Sequence, residues 1–230
     1  MALNKNSTDK IYSSFHINFF DKVILNKRAQ MINVIKKLIN FDDIKSICDI
    51  GTTENVNKSS NFIIKNLAEN KIFKSISDQE IKDKFFSKTL KKSITDNFSI
   101  EEKENMSSDL IISTATIEHV GNEENQFKMI KNMTELSKNY VVLTTPNRFH
   151  PIEFHTKIPF IHFLPKKIHR FILNLFGFKS LSLEENLNLL SKNDILKILG
   201  NLKNFDFEII EISFLGFVSN FVVFIKVNDR

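Results

Sequence analysis

The stretch SICDIGTTENVNKSS, residues 46–60, decides the fold, because it joins a buried strand to a loop carrying an acid and a glycine. SICDI is short and apolar, which is typical of a strand buried on both faces of a parallel sheet. Asp49 stands near the strand end, and Gly51 permits the sharp turn that follows. A nucleotide-binding loop would supply further glycines, whereas Thr52 and Thr53 come next. A ligand-binding loop and an ordinary strand–loop–helix joint both remain open on this stretch alone.

Outward from this stretch, strand and helix patterns alternate along the chain. Apolar spacing predicts helices over residues 18–40, 59–70 and 117–138. Residues 45–50, 71–77, 89–94, 109–115 and 139–146 read as strands, and residues 204–216 and 217–227 as an antiparallel pair. Residues 78–86 are predicted to form a helical turn or two, and residues 97–108 a polar loop. Alternating strands and helices indicate an α/β fold with a mostly parallel sheet and helices on both faces.

The length of 230 residues fits a single domain. We divide it into an N-terminal helical segment, a binding core, an insertion or lid beside the site, and a C-terminal helix with the β pair. These parts span residues 1–44, 45–150, 151–190 and 191–230. The insertion is predicted because residues 151–190 break the alternation and hold three of the four prolines.

Composition limits the class of protein and its partners. Hydrophobic residues make up 42% of the chain, enough for a globular core, and no apolar run reaches the length of a membrane span. Cys48 is the single cysteine, and the first residues lack an apolar leader, so we expect a cytoplasmic protein. The net charge of +5 comes without an arginine-rich cluster, so no nucleic-acid partner is expected.

A second motif, DLIISTATIEHV, covers residues 109–120. The strand end carries small residues that leave room for a ligand: Ser113, Thr114 and Ala115. Ligands of parallel α/β sheets bind beyond the carboxyl ends of the strands. Glu118 and His119 follow and could orient a ligand or move a proton. Alternatively, Glu118 only favours a helix N-terminus by its charge and His119 is a packed side chain.

A third motif, TTPNRFHPIEFHTKIPFIHFLP, covers residues 144–165 and follows another strand. His150, Glu153 and His155 lie within six positions of one another. A histidine–glutamate pair could act as general base and orienting group. The three are metal ligands in type, but their spacing matches no standard zinc pattern, so no metal site is predicted. Alternatively, this is a proline-shaped loop whose histidines bond to backbone.

Residues 158–178 combine phenylalanine, isoleucine and leucine with basic side chains. A basic amphipathic stretch can lie on a membrane surface, so a peripheral membrane contact is one interpretation. The other is a lid that covers the core and turns a basic face to solvent, and we favour it.

Together the three motifs resemble the class I S-adenosylmethionine-dependent methyltransferases, in particular their type 11 branch. SICDIG is similar to that family's first motif, SDLIISTATIEHV to its signature after strand 4, and YVVLTTPNRFH to its strand 5. The resemblance implies a Rossmann-like, seven-stranded sheet with a terminal antiparallel strand. It also implies the following cofactor-binding positions: Asp49, Gly51, Thr52, Asp78, Asp96, Ser113, Thr114 and Ala115. Asp78 is included because it is the acid nearest the end of strand 2.

The resemblance further implies an enzyme that uses S-adenosyl-L-methionine to methylate a small molecule, a sugar or a lipid-linked metabolite. The residues predicted to assist catalysis are His150, His155, Glu153 and His119. The alternative is a non-catalytic methyltransferase-like binding or scaffold protein. It is supported by two departures from the family pattern, namely the missing loop glycines and the serines at the end of strand 2.

Overall fold

A computed structural model describes residues 18–54, 61–153, 155–202 and 205–227. Its centre is a seven-stranded sheet of order β3-β2-β1-β4-β5-β7-β6. The strands are β1 (Ser46–Ile50), β2 (Ile72–Ser77), β3 (Lys88–Lys91), β4 (Ser108–Thr114), β5 (Ser137–Pro146), β6 (Asp206–Phe214) and β7 (Phe217–Lys226). The pairs among β1 to β5 are parallel, and β7 is antiparallel to both β5 and β6. The predicted mostly parallel sheet with a terminal antiparallel strand is confirmed.

Helices cover both faces of this sheet. They are α1 (Asn18–Leu38), α2 (Phe62–Leu67), α3 (Ile100–Met106), α4 (Glu123–Leu136), α5 (Lys166–Leu175) and α6 (Lys192–Gly200). Successive side chains of a strand point to opposite faces. Accordingly, Ile111 of β4 packs with α4 and α6, whereas Leu110 and Ile112 pack with α1 and α2. The hydrophobic run of β4 is therefore explained by burial on both sides.

Two local predictions are wrong. Residues 78–86 form no helix, only a single turn in which the Phe86 amide donates to Asp83 O at 3.2 Å, and residues 97–108, predicted to be a loop, contain α3. Helix α3 begins with a capping box, in which the Glu102 amide donates to Ser99 Oγ at 3.1 Å and the Ser99 amide donates to Glu102 Oε2 at 2.7 Å. This box satisfies backbone donors that would otherwise be unpaired at the helix start, which lets a polar sequence form a helix.

The predicted helices at residues 59–70 and 117–138 are shorter in the structure. Helix α2 begins after Asn61, and the serines expected to cap it, Ser59 and Ser60, lie outside the described residues. Helix α4 begins only at Glu123, where the Asn122 side chain caps it. Residues 117–119 form a separate 3₁₀ turn, so two polar side chains leave the sheet edge before the helix starts.

Helix α5 differs from the favoured interpretation of residues 158–178 in what it exposes. Two of its basic residues are partly buried and bond to the segment that follows, Lys166 Nζ to Asn188 Oδ1 at 2.7 Å and Arg170 Nη2 to the exposed Glu184 Oε1 at 2.7 Å. Its exposed stripe is apolar instead of basic, with Phe171 and Leu175 68% and 74% exposed. The solvent side of α5 therefore carries the exposed Lys167 beside a larger apolar stripe, and not the mainly basic face that was predicted. Within the described residues, no helix combines the length and apolarity needed to cross a membrane.

Candidate functional site

A pocket lined by both polar and apolar residues opens at the carboxyl ends of β1 and β4. These two strands are neighbours at the centre of the sheet, where the chain order reverses and such sheets bind ligands. The predicted residues that line it are Asp49, Gly51, Thr114 and Ala115. It is also lined by Arg28 from α1, by Thr53, and by residues around the start of α2. Four predicted cofactor positions from two separate motifs are therefore brought together.

Asp49 is buried at the end of β1 within a chain of hydroxyl groups. Thr52 Oγ1 donates to Asp49 Oδ2 at 2.6 Å, and Ser75 Oγ donates to Thr52 Oγ1 at 2.8 Å. Burial raises the pKa of Asp49 to about 7, against the opposing effect of the Thr52 hydrogen bond. The carboxyl group is therefore held in place and titrates near neutral pH, where a cationic ligand group would favour its charged form.

Gly51 is required by the turn itself. Its φ of +85° lies in the left-handed region, and a Cβ there would stand 2.2 Å from Thr116 Oγ1. Thr116 belongs to the loop after β4, so the two strand-end loops approach each other directly above β1. The glycine that resembles a cofactor-loop residue thus has a packing role in addition to any role in ligand binding.

The backbone amides of the first loop are partly used within the protein. The Gly51 amide donates to Ile76 O at 2.9 Å, and the Thr53 amide donates to Asn61 Oδ1 at 3.2 Å. Asn61 Nδ2 in turn donates to Thr53 O at 2.8 Å. A glycine-rich loop presents such amides to its ligand. Here side chains, chiefly Asp49 and Arg28, offer the charged groups instead.

The other predicted cofactor positions do not line this pocket. The side chains of Asp78 and Asp96 are exposed, and the Asp96 carbonyl accepts from Asn132 Nδ2 at 2.9 Å. Ser113 is fully buried and donates to Ile50 O at 2.9 Å. Thr52 lies beneath the pocket in the hydroxyl chain described above. Their roles toward a cofactor stay predictions.

A second cluster forms where the loops after β4 and β5 meet. Glu153 Oε1 accepts from the His155 amide at 2.8 Å and from His155 Nδ1 at 2.5 Å. Its other oxygen accepts from the Thr156 amide at 2.6 Å and Thr156 Oγ1 at 2.8 Å. His155 Nε2 then lies 3.2 Å from His119 Nε2. The structure thus joins three of the four residues predicted to assist catalysis.

The pKa values of this cluster follow from burial and charge. Burial would raise the pKa of Glu153, but the charge of the nearby His155 and the hydrogen bonds from His155 and Thr156 lower it to about 2. Burial works against protonation of His155, yet the attraction of Glu153 raises its pKa above the ordinary value. Burial, together with repulsion by His155, lowers the pKa of His119. Glu153 is therefore a fixed anion that sets the orientation of His155.

Glu118 adjoins this cluster and is fully buried. Its Oε2 accepts from Thr145 Oγ1 at 3.0 Å. Its Oε1 has no hydrogen-bond partner among the residues that the structure describes. One ligand atom each of Glu118, His119 and His155 lie within 4.8 Å of one another. The alternative in which Glu118 only favours a helix N-terminus is not supported, since α4 begins five residues later.

His150 does not join the cluster. Its Nδ1 lies 2.9 Å from Ile152 O, and its ring stacks on Phe214 with centroids 5.8 Å apart. His162 supports the same loop, with its Nε2 2.6 Å from His150 O. For these two histidines the structure agrees with the alternative of a proline-shaped loop whose histidines bond to backbone.

The segment after the loop forms one wall of the cluster. Asn186 O binds His119 Nδ1 at 2.6 Å, and the Asn188 amide donates to Glu118 O at 2.7 Å. Gln126 Nε2 donates to Asn188 O at 2.9 Å, which ties this wall to α4. The predicted insertion therefore contacts the site directly.

Comparison with solved structures gives the fold a family context. No protein-family model matches the sequence, and no curated protein matches it at a significant level. Magnesium protoporphyrin IX methyltransferase from Synechocystis PCC 6803, solved with S-adenosylhomocysteine (SAH) bound, has a TM-score of 0.57 at 16% identity, over 98% of this chain and 95% of that one. The plantazolicin methyltransferase BpumL, also solved with SAH, has a TM-score of 0.57 at 12% identity, over 96% of this chain and 94% of that one.

The chain has the fold of the class I S-adenosylmethionine-dependent methyltransferases. A protein from Rhodobacter sphaeroides described as a candidate zinc-dependent alcohol dehydrogenase matches as well, with a TM-score of 0.54 at 11% identity, over 82% of this chain and 88% of that one. Identities this low show the fold alone, and function has to be argued from the site.

Sequence reasoning missed several residues of these two sites, among them Arg28, Asn186 and Asn188. Arg28 lies inside a regular helix pattern, and Asn186 and Asn188 lie in a polar stretch of residues 183–188. Arginine in a helix and asparagine in a loop are common without any ligand, so no local pattern distinguishes them. They reach the sites only through the packing of α1 and of the insertion against the sheet edge.

Proposed function

We propose that the protein is an S-adenosylmethionine-dependent methyltransferase. The observation that carries this proposal is the pocket at the β1 and β4 strand ends, which holds a buried carboxylate and a guanidinium together. The cofactor ends in an amino acid, whose ammonium suits Asp49 and whose carboxylate suits Arg28. Ligands of such α/β sheets bind at this edge, beyond the carboxyl ends of the strands, which supports the same assignment.

The residues of the pocket fit such a cofactor in chemical type. Thr114 and Ala115 are small, so they leave space beside the two charged groups. When bound, the cofactor supplies a methyl group on a positively charged sulfur. The protein's own contribution is mainly to hold the acceptor atom in line with that methyl group and to exclude water. Glu153 and His155 lie in the loop after the neighbouring strand β5, and we propose that they orient an acceptor.

Titration calorimetry with SAH tests the cofactor assignment. Wild-type protein should bind about one equivalent, and Asp49→Asn should weaken binding by about 10-fold or more, because a hydrogen bond to a charged group contributes about 1.5–3 kcal/mol. Asp206→Asn, which changes an exposed acid on β6, is the matched control and should bind normally. If wild-type protein at millimolar SAH shows neither heat nor a thermal shift, the assignment is wrong.

The same measurement separates the enzyme from a non-catalytic scaffold with this fold. The scaffold reading draws support from the loop amides that are already bonded within the protein. It predicts no binding of SAH and no methyl transfer to any acceptor from radiolabelled cofactor. An enzyme predicts SAH binding with Asp49 dependence and cofactor turnover once an acceptor of the right class is present.

We infer that the acceptor is a lipid-linked molecule that the protein meets at an anionic membrane surface. Helix α5 presents an apolar stripe to solvent, since Ile168, Phe171 and Leu175 share one helical face and all are exposed, and the exposed Leu164 lies just before the helix. Monomeric proteins rarely expose large contiguous apolar patches without a binding role.

The stripe continues into the loops before α5. Phe149 and Phe160 each contact Phe163 with ring centroids 5.8 Å apart, and all three are exposed. Together these residues form what we name the apolar surface: Phe149, Phe160, Phe163, Leu164, Ile168, Phe171, Leu175 and Phe176. It extends from the loop that carries the Glu153–His155 pair, so a lipid bound there would bring its head group toward the candidate site.

The positive charge near the apolar surface favours an anionic membrane as its occupant. Lys167 is exposed on α5 beside the stripe, Lys179 is exposed after the helix, and the whole chain carries a net charge of +5. Apolar side chains flanked by lysines are typical of helices that lie on anionic lipid, where each basic residue contributes about 1 kcal/mol. A second protein chain with an apolar groove is the competing occupant.

Co-sedimentation with phosphatidylserine-containing vesicles tests the membrane assignment. Wild-type protein should pellet with the vesicles and be released as salt rises. The double variant Phe171→Ser/Leu175→Ser should lose about 10-fold or more in partitioning, because each large side chain contributes about 1.5–3 kcal/mol when buried. Leu196→Ser, an exposed leucine on α6, is the matched control.

Two outcomes would overturn the membrane assignment. In the first, wild-type protein stays in the supernatant at low salt. In the second, the double variant abolishes self-association seen by sedimentation velocity and leaves vesicle binding unchanged, which would assign the apolar surface to a protein partner.

A further inference from the structure

In the second cluster, the rings of His119 and His155 face each other through their Nε2 atoms. His119 Nδ1 bonds to a backbone carbonyl, Asn186 O, and His155 Nδ1 bonds to the Glu153 carboxylate. These oxygen atoms only accept hydrogen bonds, so each Nδ1 carries the ring proton. In the neutral rings both Nε2 atoms then present lone pairs to each other across 3.2 Å. This contact is repulsive unless a proton or a cation lies between them.

Glu118 adds a third unsatisfied group at the same place. Its Oε1 is buried and, within the part of the chain that the structure describes, accepts no hydrogen bond. A buried carboxylate oxygen without a partner costs free energy unless a cation compensates it. Three electron-pair donors, two nitrogen and one oxygen, therefore converge within 4.8 Å of one another.

We propose that Glu118 Oε1, His119 Nε2 and His155 Nε2 bind a first-row divalent metal ion, best zinc. Two imidazoles and one carboxylate are ligands that suit zinc, whereas magnesium and calcium prefer oxygen atoms alone. With zinc–nitrogen bonds of about 2.0–2.1 Å, two tetrahedral ligand nitrogens stand about 3.3 Å apart, close to the observed 3.2 Å.

The surroundings of the histidines match those of metal ligands. Ligating histidines usually donate their second ring N–H to a carboxylate or a backbone carbonyl, which fixes the tautomer and the ring direction. His155 does so to Glu153 and His119 to Asn186 O. Both histidines keep a small solvent-exposed fraction, 10% for the His155 side chain, and three protein ligands leave one coordination position open.

The sequence predicts no metal here because the ligands come from different segments. His119 and His155 are 36 residues apart, and they meet because β4 and β5 are adjacent parallel strands. In the proposed methyltransferase the metal ion would lie at the same edge of the sheet as the cofactor pocket, because its ligands come from the loops after β4 and β5. That placement rests on the proposed function, whereas metal binding itself does not.

Metal binding to the full chain tests the proposal without cofactor or acceptor. Protein stripped with a chelator should bind about one equivalent of zinc by calorimetry, and cobalt should give the intense visible bands of a four- or five-coordinate site. Glu153 does not bind the metal itself but holds the ligand His155, so Glu153→Gln should lower zinc affinity by about 10- to 100-fold. His119→Ala and His155→Ala remove ligands and should each lower it by more than that. His169→Gln, a buried histidine outside the cluster, should bind as wild type does.

The wild-type measurement keeps the test decisive even where a variant folds poorly, which circular dichroism would reveal. If the stripped wild-type protein binds less than a tenth of an equivalent of zinc or cobalt, the proposal is overturned. The rings would then share a proton, visible by nitrogen-15 NMR as a protonated His155 Nε2. Zinc affinity that His155→Ala leaves unchanged would overturn it as well.

Discussion

Replacing Gly51 by alanine should destabilise the protein more than a change of one methyl group ordinarily does. The new Cβ would lie 2.2 Å from Thr116 Oγ1, 2.5 Å from Thr116 Cγ2 and 2.9 Å from Thr116 Cβ, all shorter than real contacts. The φ of +85° adds a backbone cost of about 1–2 kcal/mol for a residue with a Cβ. Overpacking of this kind costs about 1–3 kcal/mol. The expected loss is therefore about 2–5 kcal/mol, against a total stability of about 5–15 kcal/mol for a domain.

Gly216 supplies the matched control for the backbone term. It has a φ of +81° in the turn between β6 and β7, and no described atom lies within 4 Å of its would-be Cβ. Gly216→Ala should therefore cost only about 1–2 kcal/mol. Urea unfolding followed by circular dichroism measures both, since the chain has no tryptophan.

A rescue experiment isolates the contact with Thr116. In the background of Thr116→Gly, where every clashing atom is removed, Gly51→Ala should cost no more than Gly216→Ala does. If Gly51→Ala costs no more than Gly216→Ala in the wild-type background, the close approach of the two strand-end loops is refuted.

Three further predictions concern other parts of the chain. Because burial raises the pKa of Asp49 to about 7, its charged form dominates only above that pH, so SAH affinity should rise from pH 6 to pH 8 and Asp49→Asn should flatten that profile in calorimetry. Ser99→Ala removes the capping box of α3 and should lower the unfolding free energy by about 1 kcal/mol in urea titration. An equal loss in Glu102→Ala would support the reciprocal hydrogen bond. No loss in either variant would contradict it. Burial, with the neighbouring Asp49, strongly raises the pKa of the Cys48 thiol, so the native protein should resist iodoacetamide and react only once unfolded.

The centre of the sheet could be predicted from the sequence because β1, β4 and β5 contain apolar runs that are buried on both faces. The motif at residues 109–120 is the clearest case, with β4 observed at Ser108–Thr114. Helix α3 was missed because it buries only Met106, so its signal lies in the capping serine and glutamate and not in apolar spacing. The residues that specify this helix are therefore local, but they act through N-terminal capping and not through apolar spacing.

The site contacts likewise divide into those that are local in sequence, which could be predicted, and those that depend on the tertiary fold, which could not. The Glu153–His155 contact could be predicted because two positions along one loop separate its members. The contact of His155 with His119 could not, because it depends on which strands become neighbours and on the register between them. Arg28 is the extreme case, since its place at the pocket follows from how α1 packs across the sheet edge.

The position of β7 between β5 and β6 has a consequence for biosynthesis. As the chain leaves the ribosome, β1 to β5 can pair in parallel, but the outer edge of β5 stays open until β7 has been made. Val141, Val142 and Leu143 lie on that edge, and an exposed apolar strand edge is a template for pairing with another chain. Aggregation of nascent protein should therefore be greatest in the interval between synthesis of residue 146 and residue 226.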